Sequence, residues 1–259
     1  MTEEERGMLA VIEGSIGCGW HFAGRIAKNV YELVKSDPII GTDCRVVKVL
    51  YVPECGMTPA RQELRRLNDI RDNANVVSYF DYGSTGDCLW YVMDKYAPLV
   101  ARNFSEREVL KIGLDISHAL ESCEQAGIVH RDVKPGNVFV KSSSEHHYML
   151  GDFGIALDVG DECDGRFSFG YGAPELLKRN FSHQSDIYSL GMTLYVLANG
   201  CRFPLRRDIL PEIPGMSPGL NAVLKKACSL NPSDRYQTAT CFRDELLRLM
   251  IRTYQFNDD

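Results

Sequence analysis

The chain of 259 residues, 44% hydrophobic and 25% charged, carries enough apolar material for one large domain or two small lobes. Its net charge of −6 supplies no basic excess for sequence-independent binding of nucleic acid or an anionic membrane, and no apolar run approaches the roughly 20 residues that span a bilayer. The acidic start MTEEERGMLAVIEG is unlike a signal peptide, and nine cysteines, an odd number without a C-x-x-C pair, point to reduced thiols and a cytoplasmic protein.

In chain order, MLAVIEGSI (8–16) predicts a first strand, and RVVKVLYV (45–52), VVSYFDYG (76–83) and CLWYVMDKY (88–96) predict three more. Among them TPARQELRRLNDIRD (58–72) predicts a helix. Thr58 suits the N-cap, Pro59 the first helical position, and Leu64, Leu67 and Ile70 recur at helical spacing. After Tyr96 the pattern turns helical. SEREVLKIGLDISHALESCEQAG (105–127) opens with Ser105 and Glu108, the spacing of a capping box, and stops at Gly127. Two short apolar segments follow, NVFV (137–140) and YMLG (148–151). Then come three helical stretches, QSDIYSLGMTLYVLANG (184–200), LNAVLKKACSL (220–230) and TCFRDELLRLM (240–250). The sequence thus reads as a β-rich lobe, a thin connector near residues 94–97 and a helix-rich lobe. Clefts between lobes are favoured ligand sites.

The chemistry-bearing residues are concentrated in HRDVKPGNVFV (130–140), which offers Asp132, Lys134 and Asn137 beside an apolar strand. Asp152-Phe153-Gly154 follows, and then Ala173-Pro174-Glu175. This ordered set resembles the H-R-D-x-x-x-x-N, D-F-G and A-P-E motifs of eukaryotic-type protein kinases, over nearly the whole chain. The resemblance implies an α+β, two-lobed kinase fold in residues 1–259: a β-rich N-lobe with one helix over 1–94, a hinge at 95–97 and a helical C-lobe over 98–259.

It also implies a reaction, transfer of the γ-phosphate of ATP with Mg²⁺ to a Ser or Thr hydroxyl of a protein substrate, with no nucleic-acid partner. Phosphoryl transfer depends mostly on orientation and electrostatic clamping. By resemblance Asp132 orients the acceptor hydroxyl, Lys134 neutralises the γ-phosphate, and Asn137 and Asp152 give oxygen ligands to Mg²⁺. Lys48 in RVVKVL takes the place of the strand lysine on the α- and β-phosphates, and Glu63 in QELRRL pairs with it. NANVV (73–77) supports that register, and Glu54 precedes the helix. Met93 guards the rear of the nucleotide pocket, Asp94 and Tyr96 present backbone groups to adenine, Val46 forms the roof and Phe139 the floor.

Asp186, Glu175 and Arg235 resemble structural residues of the family. Asp186 corresponds to an aspartate that bonds the catalytic-loop backbone, and Glu175 with Arg235 to a buried ion pair. Lys134, and Ser168 in FSFGYGAPE, follow the pattern of Ser/Thr-directed enzymes. HRDVKPGN, DFGIA and NPSDRYQTA resemble bacterial kinases of eukaryotic type. A pseudokinase-type scaffold is the alternative reading. A kinase-like enzyme acting on small molecules is a third, against which the A-P-E and Ser168 region speaks.

The stretch GSIGCGWHFAGRI (14–26) raises the question of the glycine-rich loop, G-x-G-x-x-G-x-V in the family. Three registers compete. The favoured one takes Gly17, Gly19, Gly24 and Ile26, with Trp20-His21-Phe22 at the tip. A second places Gly14 and Gly17 last. A third matches NVYELV at Asn29 to the V-Y-x-A that follows the loop, with good spacing to Lys48 but without the glycines.

Arg131 precedes the catalytic aspartate, where kinases commonly pair an activation-loop phosphate. The loop IALDVGDECDGR (155–166) contains no Ser, Thr or Tyr. It does contain Asp158, Asp161, Glu162 and Asp164, any of which could substitute as a carboxylate–guanidinium partner, and Cys163. A solvated acidic loop is the plain alternative.

Overall fold

The computed structural model describes residues 3–17, 19–37, 41–51, 58–86, 88–100, 102–140, 147–206 and 208–254. Glu54 and the side chain of Thr58 lie outside the described residues. The chain divides into two compact units, Met1–Arg71 with Val77–Tyr96, and Asp72–Val76 with Ala97–Asp259. Among the described residues no helix is long and apolar enough to cross a membrane, and Cys44, Cys88, Cys123, Cys163, Cys201, Cys228 and Cys241 are free thiols.

The first unit begins with a helix, α1 (Glu3–Ile16), where a strand was expected. Leu9 and Ile12 are buried, and Met8 and Ile16 pack beside them, whereas Val11 is exposed. These residues fall at helical spacing, and a strand would have split them between two faces. After α1 come β1 (His21–Ala27), β2 (Val30–Asp37), β3 (Gly41–Tyr51), α2 (Thr58–Asp69), β4 (Tyr79–Thr85) and β5 (Cys88–Asp94). The strands form one antiparallel sheet in the order β1-β2-β3-β5-β4.

Strand alternation gives this sheet two distinct faces. Tyr31, Leu33, Val47, Val49, Cys88, Trp90 and Val92 form one apolar core with Leu9 and Ile12 of α1. Burying one such side chain contributes about 1.5–3 kcal/mol, so α1 is an integral layer of the unit. The opposite face carries Lys48, which pairs with Val30 on β2 and with Tyr91 on β5. α2 lies on this side, joined to Lys48 through Glu63. Ala60, Glu63, Leu64, Arg66 and Leu67 of this helix are buried, as is Ile70 just after it.

The second unit is mainly helical. Its elements are β6 (Ala97–Pro98), α3 (Glu106–Gln125), β7 (Ile128–Val129), β8 (Val138–Val140), β9 (Tyr148–Leu150), β10 (Leu157–Asp158), α4 (His183–Ala198), α5 (Pro218–Ala227) and α6 (Ala239–Tyr254). Ser105 caps α3 in the expected box: its hydroxyl accepts from Glu108 N, and the Glu108 carboxylate accepts from Ser105 N at 2.8 Å. Gly127, at φ +69, reverses the chain after α3, a conformation that favours glycine. α4 is buried along most of its length. β6, β8 and β9 form a small antiparallel sheet, and β7 pairs with β10. The segment Asp72–Val76 is fastened here, because Leu150 N donates to Asn75 O at 2.8 Å and Asn75 Nδ2 to Tyr148 O at 2.9 Å.

Candidate active site

In the first unit, Lys48 Nζ lies 2.7 Å from Glu63 Oε1, with 15% and 6% of the two side chains exposed. The Tyr91 hydroxyl donates to the same oxygen at 3.0 Å. Tyr91 stands opposite Lys48 in the β3–β5 register, so the sheet face and α2 together orient the ammonium. Met93 faces the same side, opposite Val46. Asp94 pairs with Arg45 at the end of β5, and Tyr96 is the last residue of the unit.

The hairpin that precedes Lys48 differs from the favoured sequence reading. Ala27 pairs with Val30, so its tip is the two-residue turn Lys28–Asn29. Asn29 adopts φ 60, which asparagine tolerates better than most residues, and its carbonyl accepts from Val49 N at 2.8 Å. Gly17 and Gly19 lie before β1, at φ 106 and 92, where they turn the chain out of α1. Trp20 precedes β1, His21 and Phe22 begin it, and Gly24 and Ile26 lie within it. None of these residues is at the tip. This arrangement matches the third register. With Val30 at the valine position, the three glycine positions of the pattern fall on Ala23, Arg25 and Lys28. Arg25 pairs opposite Tyr31, on the α1 side, and its guanidinium lies 3.7 Å from Glu5.

In the second unit, His130–Asn137 folds so that its polar groups meet. Asp132 Oδ2 accepts from Lys134 Nζ at 2.7 Å and from Asn137 Nδ2 at 2.8 Å. The same Asn137 amide donates to Asp132 O at 2.9 Å. A 3₁₀ turn at Pro135–Asn137 returns the chain toward Asp132, with Pro135 at its first position where no amide proton is needed. Lys134 Nζ also donates to Ser168 Oγ at 2.7 Å, which ties the segment before Ala173 to this loop. Asp132 Oδ1 is buried and has no hydrogen-bond partner among the described residues. A buried carboxylate oxygen left open in this way is costly unless it receives a donor from elsewhere.

Asp152 is brought next to this loop by the β8–β9 pair. Gly151 N donates to Asn137 O at 3.0 Å, and Val138 pairs with Leu150. His130 links the two segments. Asp132 N donates to His130 Nδ1 at 3.2 Å, so that nitrogen is the acceptor and Nε2–H donates to Gly151 O at 3.2 Å. Burial lowers the pKa of His130, in keeping with this neutral tautomer. The sequence reading had given no role to His130 or Tyr91. His130 belongs to the H-R-D motif and Tyr91 to an apolar strand, and the contacts that give them a role, with Gly151 O and Glu63 Oε1, come from other segments. Phe139 lies in β8, opposite Met149.

Asp186 reaches the loop from α4, as expected. Its two oxygens accept from His130 N at 2.6 Å and Arg131 N at 2.7 Å. Burial pushes its carboxyl up to about 7, against these two amides, which favour the ionised form. They also hold Arg131 at φ 65, a left-handed conformation that arginine rarely adopts. The Arg131 side chain is fully buried. Its Nε donates to Ile155 O at 2.8 Å and its Nη1 to Asp164 Oδ1 at 2.9 Å. Glu175 and Arg235 form the anticipated ion pair, bidentate at 2.7 and 2.8 Å.

The donor set suits Mg²⁺. Asn137 spends its side-chain nitrogen within the loop, so its side-chain oxygen is the atom that could meet a cation, and Asp152 directly follows Gly151, whose N donates to Asn137 O at 3.0 Å. Mg²⁺ needs only one or two protein oxygens when phosphates complete its shell. No cluster of three or more His, Cys, Asp or Glu able to hold a metal occurs among the described residues.

The family model described as "Protein kinase domain" matches residues 42–247. Over 211 residues the chain is 29% identical to serine/threonine-protein kinase PknB of Mycobacterium leprae, covering 69% of this chain and 34% of that relative. It is 28% identical over 213 residues to serine/threonine-protein kinase pkn3 of Myxococcus xanthus (68% and 39%), and 28% identical over 207 residues to serine/threonine-protein kinase PEPKR2 of Arabidopsis thaliana (76% and 42%). The chain therefore spans well under half the length of these relatives. The matched residues contain Lys48, Glu63 and the whole Asp132–Asn137–Asp152 arrangement, and with a family match over most of its length the chain belongs to the protein kinase domain family.

Proposed function

We propose that this chain is a serine/threonine protein kinase that moves the γ-phosphate of ATP to a protein hydroxyl. The observation that carries the reading is the Asp132 carboxylate, with one oxygen held by Lys134 and Asn137 and the other buried without a partner among the described residues. That open oxygen is suited to accept the hydrogen bond of an incoming Ser or Thr hydroxyl and orient it for in-line attack. Lys134, shared between Asp132 and Ser168, offers its ammonium to the γ-phosphate.

Lys48, steadied by Glu63 and Tyr91, holds the α- and β-phosphates. Asn137 and Asp152 would hold Mg²⁺, which when bound neutralises charge on the phosphates. Met93, Asp94, Tyr96 and Val46 of the first unit, and Phe139 of the second, are the residues that the family resemblance assigns to adenine. Lys28, at the tip of the β1–β2 hairpin, presents a cation to the phosphates where the family places a glycine. Gly17 and Gly19 shape the exit from α1.

The test is intact-mass analysis of purified protein after incubation with MgATP, or with MgATP and a generic acceptor protein. Wild type gains phosphate on itself or transfers it to the acceptor, and Asp132→Asn does neither. Equal transfer by both proteins, or none by wild type, overturns the reading.

A further inference from the structure

Four acids in the loop 155–166 are candidates to meet Arg131, and the one the structure shows in contact with its guanidinium is Asp164. Asp161 Oδ2 accepts from Asp158 N at 3.0 Å, within a local turn, and Glu162 is exposed. Asp164 meets the Arg131 guanidinium at 2.9 Å. Asp164 is itself held from the other side, because its Oδ1 accepts from Arg166 N at 3.0 Å and its Oδ2 from Arg166 Nε. The Arg131 side chain has no exposed surface, and the Phe181 ring lies 5.7 Å from it. A buried guanidinium needs a carboxylate or phosphate partner.

We propose that Asp164 is a positioning residue, a resident carboxylate that clamps Arg131 and through it Asp132, so that the activation segment needs no phosphate. The inference rests on the kinase reading above. Arg131 and Asp132 are adjacent, and the backbone at Arg131 is left-handed, so the side-chain anchor and the Asp186 anchor together fix the peptide that carries the catalytic carboxylate. Arg166 pre-orients Asp164, which limits the freedom lost when the clamp closes. No hydroxyl residue lies between Gly154 and Phe167 to provide a phosphate in its place.

The experiment uses the full chain treated with phosphatase and verified phosphate-free by intact mass. It measures kcat and the KM for ATP with casein as acceptor. Phosphate-free wild type is expected to turn over. Asp164→Asn is expected to lower kcat tenfold or more with the KM for ATP within threefold, Asp164→Glu to recover most of the loss, and Glu162→Gln to leave both constants unchanged. A mere loss of packing would not produce this kcat-selective, charge-restored pattern.

Asp164→Asn with kcat within twofold of wild type overturns the clamp. So does a phosphate-free wild type that is silent until a second kinase phosphorylates it; in that case the kinase reading stands. A wild type silent in every phosphorylation state overturns both. Should Asp164→Asn melt below the assay temperature, Asp164→Glu decides. Turnover within threefold of wild type supports the clamp, and a tenfold fall overturns it.

Discussion

Replacing Glu175 by Gln removes one charge from a pair that is almost wholly out of water. Arg235 has no exposed side-chain surface and Glu175 has 12%. Burial pushes the Glu175 carboxyl up, but the bonds from Arg235 and Ser185 outweigh it and leave it below its ordinary value, so the pair is ionised at neutral pH. Breaking a buried pair by removing one partner costs about 3–5 kcal/mol, because the other charge stays desolvated. Here Arg235 keeps three backbone acceptors, Ser229 O at 2.8 Å, Gln184 O at 2.9 Å and Leu230 O at 3.1 Å, and it stacks 4.8 Å from the Tyr188 ring. That residual solvation places the cost at the low end, about 3 kcal/mol, or a fall in Tm of about 6–12 °C for a chain of this size. Thermal denaturation at pH 7 of wild type, Glu175→Gln, Arg235→Leu and the double variant forms a complete cycle. The double variant should be less destabilised than the sum of the singles by about 2 kcal/mol. A Glu175→Gln protein melting within 2 °C of wild type would refute the claim that this pair fastens the segment after Ala173 to the chain before α6.

The β1–β2 hairpin yields a test by nucleotide titration. Lys28→Ala should weaken ADP binding about tenfold, the worth of a charge-assisted hydrogen bond, and leave adenosine binding unchanged. Gly17→Ala and Gly19→Ala should leave ADP affinity within twofold while lowering Tm, since each position requires a positive φ. The reverse pattern would restore the glycine register. The Asp164 clamp also predicts a pH dependence. Burial raises the Asp164 carboxyl, but the bonds to Arg131 and Arg166 outweigh it and bring it from 3.8 to about 2. A depressed carboxylate contributes stability that is fully present above its unfolded value and is lost as pH falls through its folded value. The Tm gap between wild type and Asp164→Asn should therefore hold from pH 8 to about pH 5 and close between about pH 4 and pH 2. A gap that closes between pH 7 and pH 5 would assign the titration to another group.

The polar groups of the second unit were legible in the sequence because their geometry is largely local. Asp132, Lys134 and Asn137 lie within six residues, and one 3₁₀ turn brings them together whatever surrounds them. The Ser105–Glu108 box is equally local. Lys48 and Glu63 were also recoverable, because a strand lysine and a helical glutamate at that separation belong to one motif. Tertiary structure decided what depended on a partner. MLAVIEGSI is short and apolar, which suits a strand or a helix alike. It is a helix because the sheet formed by β1–β5 presents an apolar face opposite Lys48, and a stripe at helical spacing covers it. Glycines 17 and 19 looked like a phosphate loop by composition. Once α1 formed, they were needed to end it, and the turn fell instead at Lys28–Asn29, where pairing of Ala27 with Val30 required it. The loop 155–166 offered four equivalent carboxylates. Asp164 became the partner of Arg131 because Asp186 holds the Arg131 backbone N and Ile155 O accepts from its buried guanidinium, contacts from outside the catalytic loop that no local pattern encodes. Sequence specifies groups whose spacing along the chain is their spacing in space; packing assigns the rest, because a buried face or charge takes its partner from whichever element the fold brings against it.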